Sequence, residues 1–448
     1  MQGTITIKKG FDIRLKGKPE PITDPLRTAE FIAIKPTDFK NINPKLIVKE
    51  GDTVKAGDEL FFDKSNTKIK FVSPVSGVIY QIVRGERRVL EKIIIRADRT
   101  NIHYKQFQVP GLSELNREQT IELLLESGLW TYIIQRPYGI IANPDDTPKA
   151  IFVSGFDTSP LAPDYNYIIA EEKEQFQLGL NVLRKLTNGK VHLGIQEGNN
   201  NNFVTLQNVE INTFRGPHPA GNVGIQIHHI NPINKGEKVW TVSPQDVLII
   251  GRFFEKGIVD FIRTISLVGP AVTKPQYYKT LSGTSIAHIT TNRIDTNNTR
   301  IISGNPLTGV KVTNDDFLGY YHNQVTVLYE GNEAMFMGWA EPGLKRYSML
   351  RTFLSSVLNK DFNINTNMNG GPRAFVVTGL YEQVLPMDIL PLQLFKAILA
   401  NDIDKMEQLG LYEVLEEDLA LCEFVCPSKT EIQALIRKGL EVLRTEIG

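Results

Sequence analysis

The sequence predicts a multidomain protein of mixed α/β and α+β class: an all-β unit, an α/β unit, a second β-rich unit and a helical tail. Three observations carry this expectation. Paired Gly-Asp turns recur at Gly51 and Gly57, β-like and helical runs alternate between about residues 113 and 257, and apolar residues fall at helical spacing in the last quarter. At 448 residues the chain is long enough for about three cores.

Composition narrows the functional classes. Fifty Lys+Arg balance fifty Asp+Glu, so no net charge draws the chain to a polyanion, and nucleic acid is not expected as a partner. No run approaches the ~18 apolar residues of a membrane span. The segment MQGTITIKKGFDIRLKGKPE alternates like a strand and lacks the pattern of a signal peptide, which predicts a cytoplasmic protein with no transmembrane segment. The two cysteines, Cys422 and Cys426, cannot build a disulfide framework and fall short of the four thiolates of an ordinary iron–sulfur cluster.

Residues 1–110 read as a leading strand followed by short strands between turns. Gly51-Asp52 and Gly57-Asp58 supply two reversals with Val54 and Leu60 inward, and Pro74 and Gly77 bracket another. The series G-D-x-V-x-x-G-D-x-L followed by S-P-x-x-G-x-V resembles the barrel-sandwich domain of biotinyl and lipoyl carrier proteins. In those carriers a hairpin lysine holds the cofactor, and Lys64 stands in roughly that place. The segment Ser65 to Lys68 lengthens the hairpin, so the fold is read as a docking module and a prosthetic group on Lys64 as the lesser alternative.

Residues 111–257 read as a Rossmann-like α/β unit. AIFVSGF is a strand ending in a turn, EEKEQFQLGLNVLRKLTNG a helix with Phe176, Leu180 and Leu183 on one face, KVHLGI a second strand, and KVWTV a third. Ser243-Pro244-Gln245-Asp246 then offers an N-cap, a first-turn proline and a first-turn acid for a helix ending near Gly257. Neither G-x-G-x-x-G nor G-x-x-x-x-G-K-[ST] occurs, so no standard phosphate loop is present. The nearest substitute is the loop containing Gly216, Pro217, His218, Pro219, Gly221 and Gly224, followed by IQIHHI. It reads either as a pocket wall for a planar redox molecule, with His218 and His228 among its candidates, or as a tight structural turn. His228 and His229 are read as part of a β-like run, pointing to opposite faces, which excludes joint chelation of one metal ion.

Residues 258–330 turn β-rich again, with Gly-Pro and Asn-Pro turns, as in a compact β-grasp (SLBB-like) unit. Residues 331–448 read as helical: Tyr347, Leu350, Leu354 and Val357 share one spacing, as do Leu392, Phe395 and Leu399, and Ile432, Leu435, Ile436 and Leu443. Ser428 to Glu431 reads as a capping box at the last helix. Ahead of it, CEFVCPSK carries Cys422 and Cys426, either a remnant of a cluster-ligand set or two small side chains packed in a corner.

Taken in order, these segments, with GPHPAGNVGIQIHHI, ISLVGPAV, CEFVCPSK and GGPRAFVVTGLYEQVLPMDILPLQLFKAIL, resemble the NqrA family of the Na⁺-translocating NADH:quinone reductases over essentially the full length. The resemblance implies a peripheral subunit on the cytoplasmic face of the bacterial inner membrane, with five partner subunits. The complex oxidises NADH, reduces ubiquinone and pumps Na⁺. NADH, flavins, iron–sulfur centres and Na⁺ then belong to the complex, while this chain serves docking and quinone binding, with no bound cofactor, metal or catalytic residue of its own. The alternative is a cluster-binding electron-transfer subunit of a related ferredoxin-oxidising complex, which needs more cysteines.

Overall fold

The computed structural model describes residues 3–198, 202–331, 341–344, 346–349, 352–358 and 360–447. Its first compact unit is a β-sandwich. Strands Pro44–Leu46, Glu59–Asp63 and Lys70–Val72 form one sheet, and Phe31–Ile34, Leu90–Ala97, Gly77–Arg84 and Thr53–Val54 the other. The two Gly-Asp turns are built alike. Gly51 and Gly57 adopt φ of +91° and +92°, and the Asp52 and Asp58 carboxylates each accept the amide three residues back, at 2.7 Å. Val54 and Leu60 are buried as expected, beside stacked Phe61 and Phe71 rings 4.4 Å apart. Each such side chain contributes roughly 1.5–3 kcal/mol by leaving water.

The leading strand does not join this sandwich. Ile5–Thr6 pairs in parallel with Glu210–Arg215, and Glu20–Pro25 pairs in parallel with Gln276–Leu281, so the opening segment threads two other sheets first.

A seven-stranded sheet follows the order Ile5–Thr6, Glu210–Arg215, Lys190–Gln196, Ala150–Ser154, Val239–Thr241, Ile134–Arg136, Ile140–Ile141. The first five run parallel, Ile134–Arg136 runs against them, and Ile140–Ile141 pairs antiparallel with Ile134–Arg136. From Ala150–Ser154 the chain moves outward through two neighbours, then comes back on the other side with Val239–Thr241. That reversal makes a topological switch point, where open α/β sheets leave a crevice at their strand ends. Ser243 accepts the Asp246 amide, Pro244 opens the helix Pro244–Lys256, and Gly257 ends it in left-handed conformation.

The run after Gly221 corrects the sequence reading. Val223–Ile230 is an α-helix, so His228 and His229 are neighbours on it rather than opposed on a strand. Ile225 packs with the C-terminal helices while Ile227 packs with Phe152 and Val239 of the sheet. A helix buried on two sides carries no polar face, and its alternation of apolar residues imitates a strand.

The third unit is a six-stranded sheet in the order Val310–Val312, Thr299–Ser303, Gln324–Tyr329, Ile262–Val268, Gln276–Leu281, Glu20–Pro25, with the short helix Ile286–Thr290. In the last quarter, Pro391–Leu399 and Ile432–Ile447 are helices; Leu392, Phe395, Ile432, Leu435, Ile436 and Leu443 are buried on them, while Leu399 is exposed and leaves its stripe. Among the described residues, the spacing at Tyr347, Leu354 and Val357 gives a 3-10 turn, Leu354–Val357, and no α-helix; Leu350 lies outside the described residues. Leu354 and Val357 are exposed, so that stripe faces no core. The capping box is also absent. Ser428 donates to the Ala374 carbonyl at 2.9 Å, and the Gln433 amide is taken instead by Glu423 at 2.8 Å. Among the described residues no helix is long and apolar enough to cross a membrane.

Candidate functional site

A cavity of about 580 Å³ opens at the switch point. Ser154 and Ser243 mark the ends of the two diverging strands, and all four units reach it: Asp38 and Lys40 from the sandwich, Asp157 and His218 from the α/β unit, Tyr320 to Gln324 from the six-stranded sheet, and Leu415 and Glu417 from the tail. Its size suits a ring-sized ligand.

His218 is held by three elements. Its amide donates to Asp12 at 2.8 Å, its Nδ1 lies 3.1 Å from the Thr158 hydroxyl, and that hydroxyl accepts the Gly221 amide at 2.9 Å. Only 3% of the residue is exposed, and burial pushes the imidazole down to about 4, so it is neutral at physiological pH. Thr158 has a single proton to give and no other partner among the described residues, so it donates to Nδ1 and the ring proton sits on Nε2. Nε2 itself is buried without a hydrogen-bond partner among the described residues. A buried unpaired donor at a cavity wall is a costly feature that a ligand oxygen would relieve.

The other loop residues divide between wall and scaffold. Gly221 lines the cavity, and a Cβ there would lie 2.5 Å from the Thr158 nitrogen. Pro217 and Pro219 carry the carbonyls that close two successive turns onto Ala220 and Asn222. Gly216 packs on Ile7, where a Cβ would come 2.3 Å from the carbonyl oxygen. Gly224 is scaffold: a Cβ would sit 2.4 Å from both Arg136 Nη1 and the Asp418 carboxylate. Its absence lets a fully buried ion pair form, Arg136 Nη1 to Asp418 at 2.7 Å, with Glu417 on the second guanidinium nitrogen. His228 is not among the residues that line the cavity. Its Nε2 accepts the Asp388 amide at 3.1 Å and its Nδ1 lies 3.2 Å from Glu413, which ties the helix to the tail.

Cys422 and Cys426 are free thiols, both buried. Cys426 lies 3.1 Å from the Tyr381 hydroxyl, and burial drives the Cys422 thiol up. Among the described residues no group of three or more His, Cys, Asp or Glu could hold a metal ion. Lys64 begins the sandwich hairpin, its amide donating to Asn43 at 2.8 Å.

Sequence reading missed most of the cavity. Tyr132 stacks on Tyr320 at 5.1 Å, Tyr320 meets Tyr321 edge-to-face at 5.0 Å, and burial pushes the Tyr320 and Tyr321 phenols well above their ordinary value. Arg263 lies 5.2 Å over the Tyr132 ring and pairs with buried Asp246. Burial raises the carboxyls of Asp38 and Asp157. The run Gly319-Tyr320-Tyr321-His322-Asn323 was the available signal, an aromatic pair beside histidine in a turn.

Comparison with known proteins adds the family. The model for the NqrA N-terminal barrel-sandwich hybrid domain matches residues 5–98, that for the NqrA second alpha/beta domain residues 115–259, and that for the NQRA C-terminal domain residues 264–314. The A subunit of the Na(+)-translocating NADH-quinone reductase of Pasteurella multocida is 39% identical, and that of Neisseria meningitidis serogroup B 41%, each over 99% of this chain and 100% of the relative. Among solved structures, chains of NAD+-reducing [NiFe]-hydrogenase in the air-oxidized and H2-reduced states align at TM-scores of 0.39 and 0.34. They are 10% and 12% identical and cover 78% and 52% of this chain and 72% and 53% of theirs, a level that decides nothing here. With its three successive domain matches and full-length relatives at such identity, the chain belongs to the NqrA family of the Na(+)-translocating NADH-quinone reductases.

Proposed function

We propose that the chain is a docking subunit of an Na⁺-translocating NADH:quinone reductase. It sits peripherally at the cytoplasmic face with five partner subunits and holds a quinone headgroup in the switch-point cavity, without a flavin or cluster of its own. The observation that carries the site is His218, a neutral buried imidazole at the cavity wall whose Nε2 proton has no partner among the described residues. A quinone ring is planar and uncharged and offers carbonyl acceptors, so it calls for neutral donors and aromatic walls rather than cations.

A flavin phosphate suits the cavity poorly. The carboxylate of Asp157 stands just beyond the strand end, accepting the Ser159 amide at 2.7 Å and paired with no cation among the described residues. The next helix, Tyr165–Ile169, has its first amides taken by Asp164. A phosphate there would meet negative charge and find the Asn166 and Tyr167 amides already taken. Docking is supported by apolar side chains left in water along one stretch: Leu344, Leu354, Val357, Met368 and Val377.

The purified chain is expected to be colourless and of unmodified mass; visible absorption, or added mass on Lys64, would mean that it carries its own redox or prosthetic group. Titration with a short-chain ubiquinone should saturate, and His218→Ala should weaken binding about tenfold, the worth of one neutral hydrogen bond. Unchanged affinity in a folded variant would move the site away from this loop.

A further inference from the structure

The cavity holds a second histidine built on the same plan as His218. His322, in the turn leading into the strand Gln324–Tyr329, has its Nδ1 2.8 Å from the Ser303 hydroxyl, and the same hydroxyl accepts the Gly319 amide at 2.9 Å. The amide occupies one lone pair of the oxygen, and the serine proton has no other partner among the described residues, so it goes to Nδ1. The His322 ring proton therefore sits on Nε2. Burial pushes this imidazole down to about 4 as well, so it too is neutral.

Two glycines shape the arrangement. A Cβ at Gly319 would come 2.4 Å from Nδ1, so only glycine lets the ring approach the serine. A Cβ at Gly304, itself on the cavity wall, would come 3.3 Å from both Cδ2 and Nε2, so glycine leaves the donor edge uncrowded. Each of these units thus supplies a hydroxyl pinned by a backbone amide, an imidazole fixed by that hydroxyl, and an Nε2 proton with no protein partner in the described residues.

We propose that His218 and His322 form a two-point clamp in this cavity for a planar ring bearing two carbonyl oxygens, each imidazole donating its Nε2 proton to one oxygen. The clamp rests on the quinone reading given above and adds His322 as its second binding residue. Two neutral donors match a ligand that offers acceptors at two positions and carries no charge. Tyr132 and Tyr320 supply aromatic surface beside it.

The test uses the full chain and ubiquinone-1 as probe, with dissociation constants for wild type, His218→Leu, His322→Leu and His322→Gln. The clamp predicts about tenfold weakening for each leucine variant and recovery of most of it in His322→Gln, whose amide hydrogens reach toward the Nε2 position. Weakening in His218→Leu with unchanged affinity in a folded His322→Leu would overturn the clamp and leave the quinone site standing. No saturable binding by wild type would overturn both. Ring-nitrogen NMR of the wild-type protein needs no substitution: His322 should show the Nε2–H form at neutral pH and shift when ubiquinone-1 is added. The Nδ1–H form, or no shift at saturation, would overturn the clamp even if the leucine variant fails to fold.

Discussion

Arg263→Met is expected to destabilise the protein by about 3–5 kcal/mol, the cost of leaving a buried charge without its partner. Arg263 is fully buried in the six-stranded sheet and serves three polar groups at once: Ser282 at 2.7 Å, Asn323 at 2.9 Å and the Asp246 carboxylate. Asp246 lies in the first turn of the helix Pro244–Lys256, so this one side chain fastens the α/β unit to the unit beside it. Methionine would preserve much of the volume and none of the donors. Urea unfolding should show the midpoint fall. The double variant Arg263→Met/Asp246→Asn should recover part of the loss, because the unpaired carboxylate is then gone. A single variant that unfolds at the wild-type midpoint would show that the pair contributes nothing.

Stability should fall steeply as pH drops from 6.5 toward 4. Burial holds His192, His218 and His322 each at about 4, against 6.5 for an ordinary histidine. Below pH 6.5 the unfolded chain takes up protons that these rings, two buried and one half-buried, refuse, so the unfolded state gains until the folded rings titrate near 4. At pH 5 the difference is roughly 2 kcal/mol per histidine, or about 6 kcal/mol for the three. Asp38, Asp157 and Asp246, raised by burial, act with the opposite sign, since the folded state binds their protons first, and they offset part of the loss at the acid end. Denaturant midpoints at pH 7, 6 and 5 and constant ionic strength would measure it. A flat profile across that range would mean the three rings are hydrated in solution.

Much of the fold was legible because its signals are local. The two Gly-Asp turns need glycine conformation and a short acid within four residues, and Ser243 to Asp246 states a helix start in one line. The failures came where a distant segment decides. Val223–Ile230 is helical because sheet and tail cover its two sides, which no window of that sequence reveals. The first turn of Ile432–Ile447 is capped by Glu423, a residue of the preceding helix, so the adjacent serine was free to bond elsewhere. Within the cavity, His218 was conspicuous in a loop dense with glycine and proline. His322, Asp157 and Tyr132 were not, since they converge from segments far apart in sequence and gain meaning only from one another.

The threaded opening segment sets an order on how the molecule comes to be. Ile5 pairs with Phe214 and Glu20 with Gln276, so during synthesis the first residues wait for some two hundred more before their partners exist. Pairings of such high sequence separation are slow to close. The sandwich, with every strand between Phe31 and Ala97, can collect its partners early, while the strands ahead of it stay open. First made must therefore wait: the N-terminal segment can close the α/β sheet and the six-stranded sheet only after its partner strands have emerged, and in closing them it ties the units into one object.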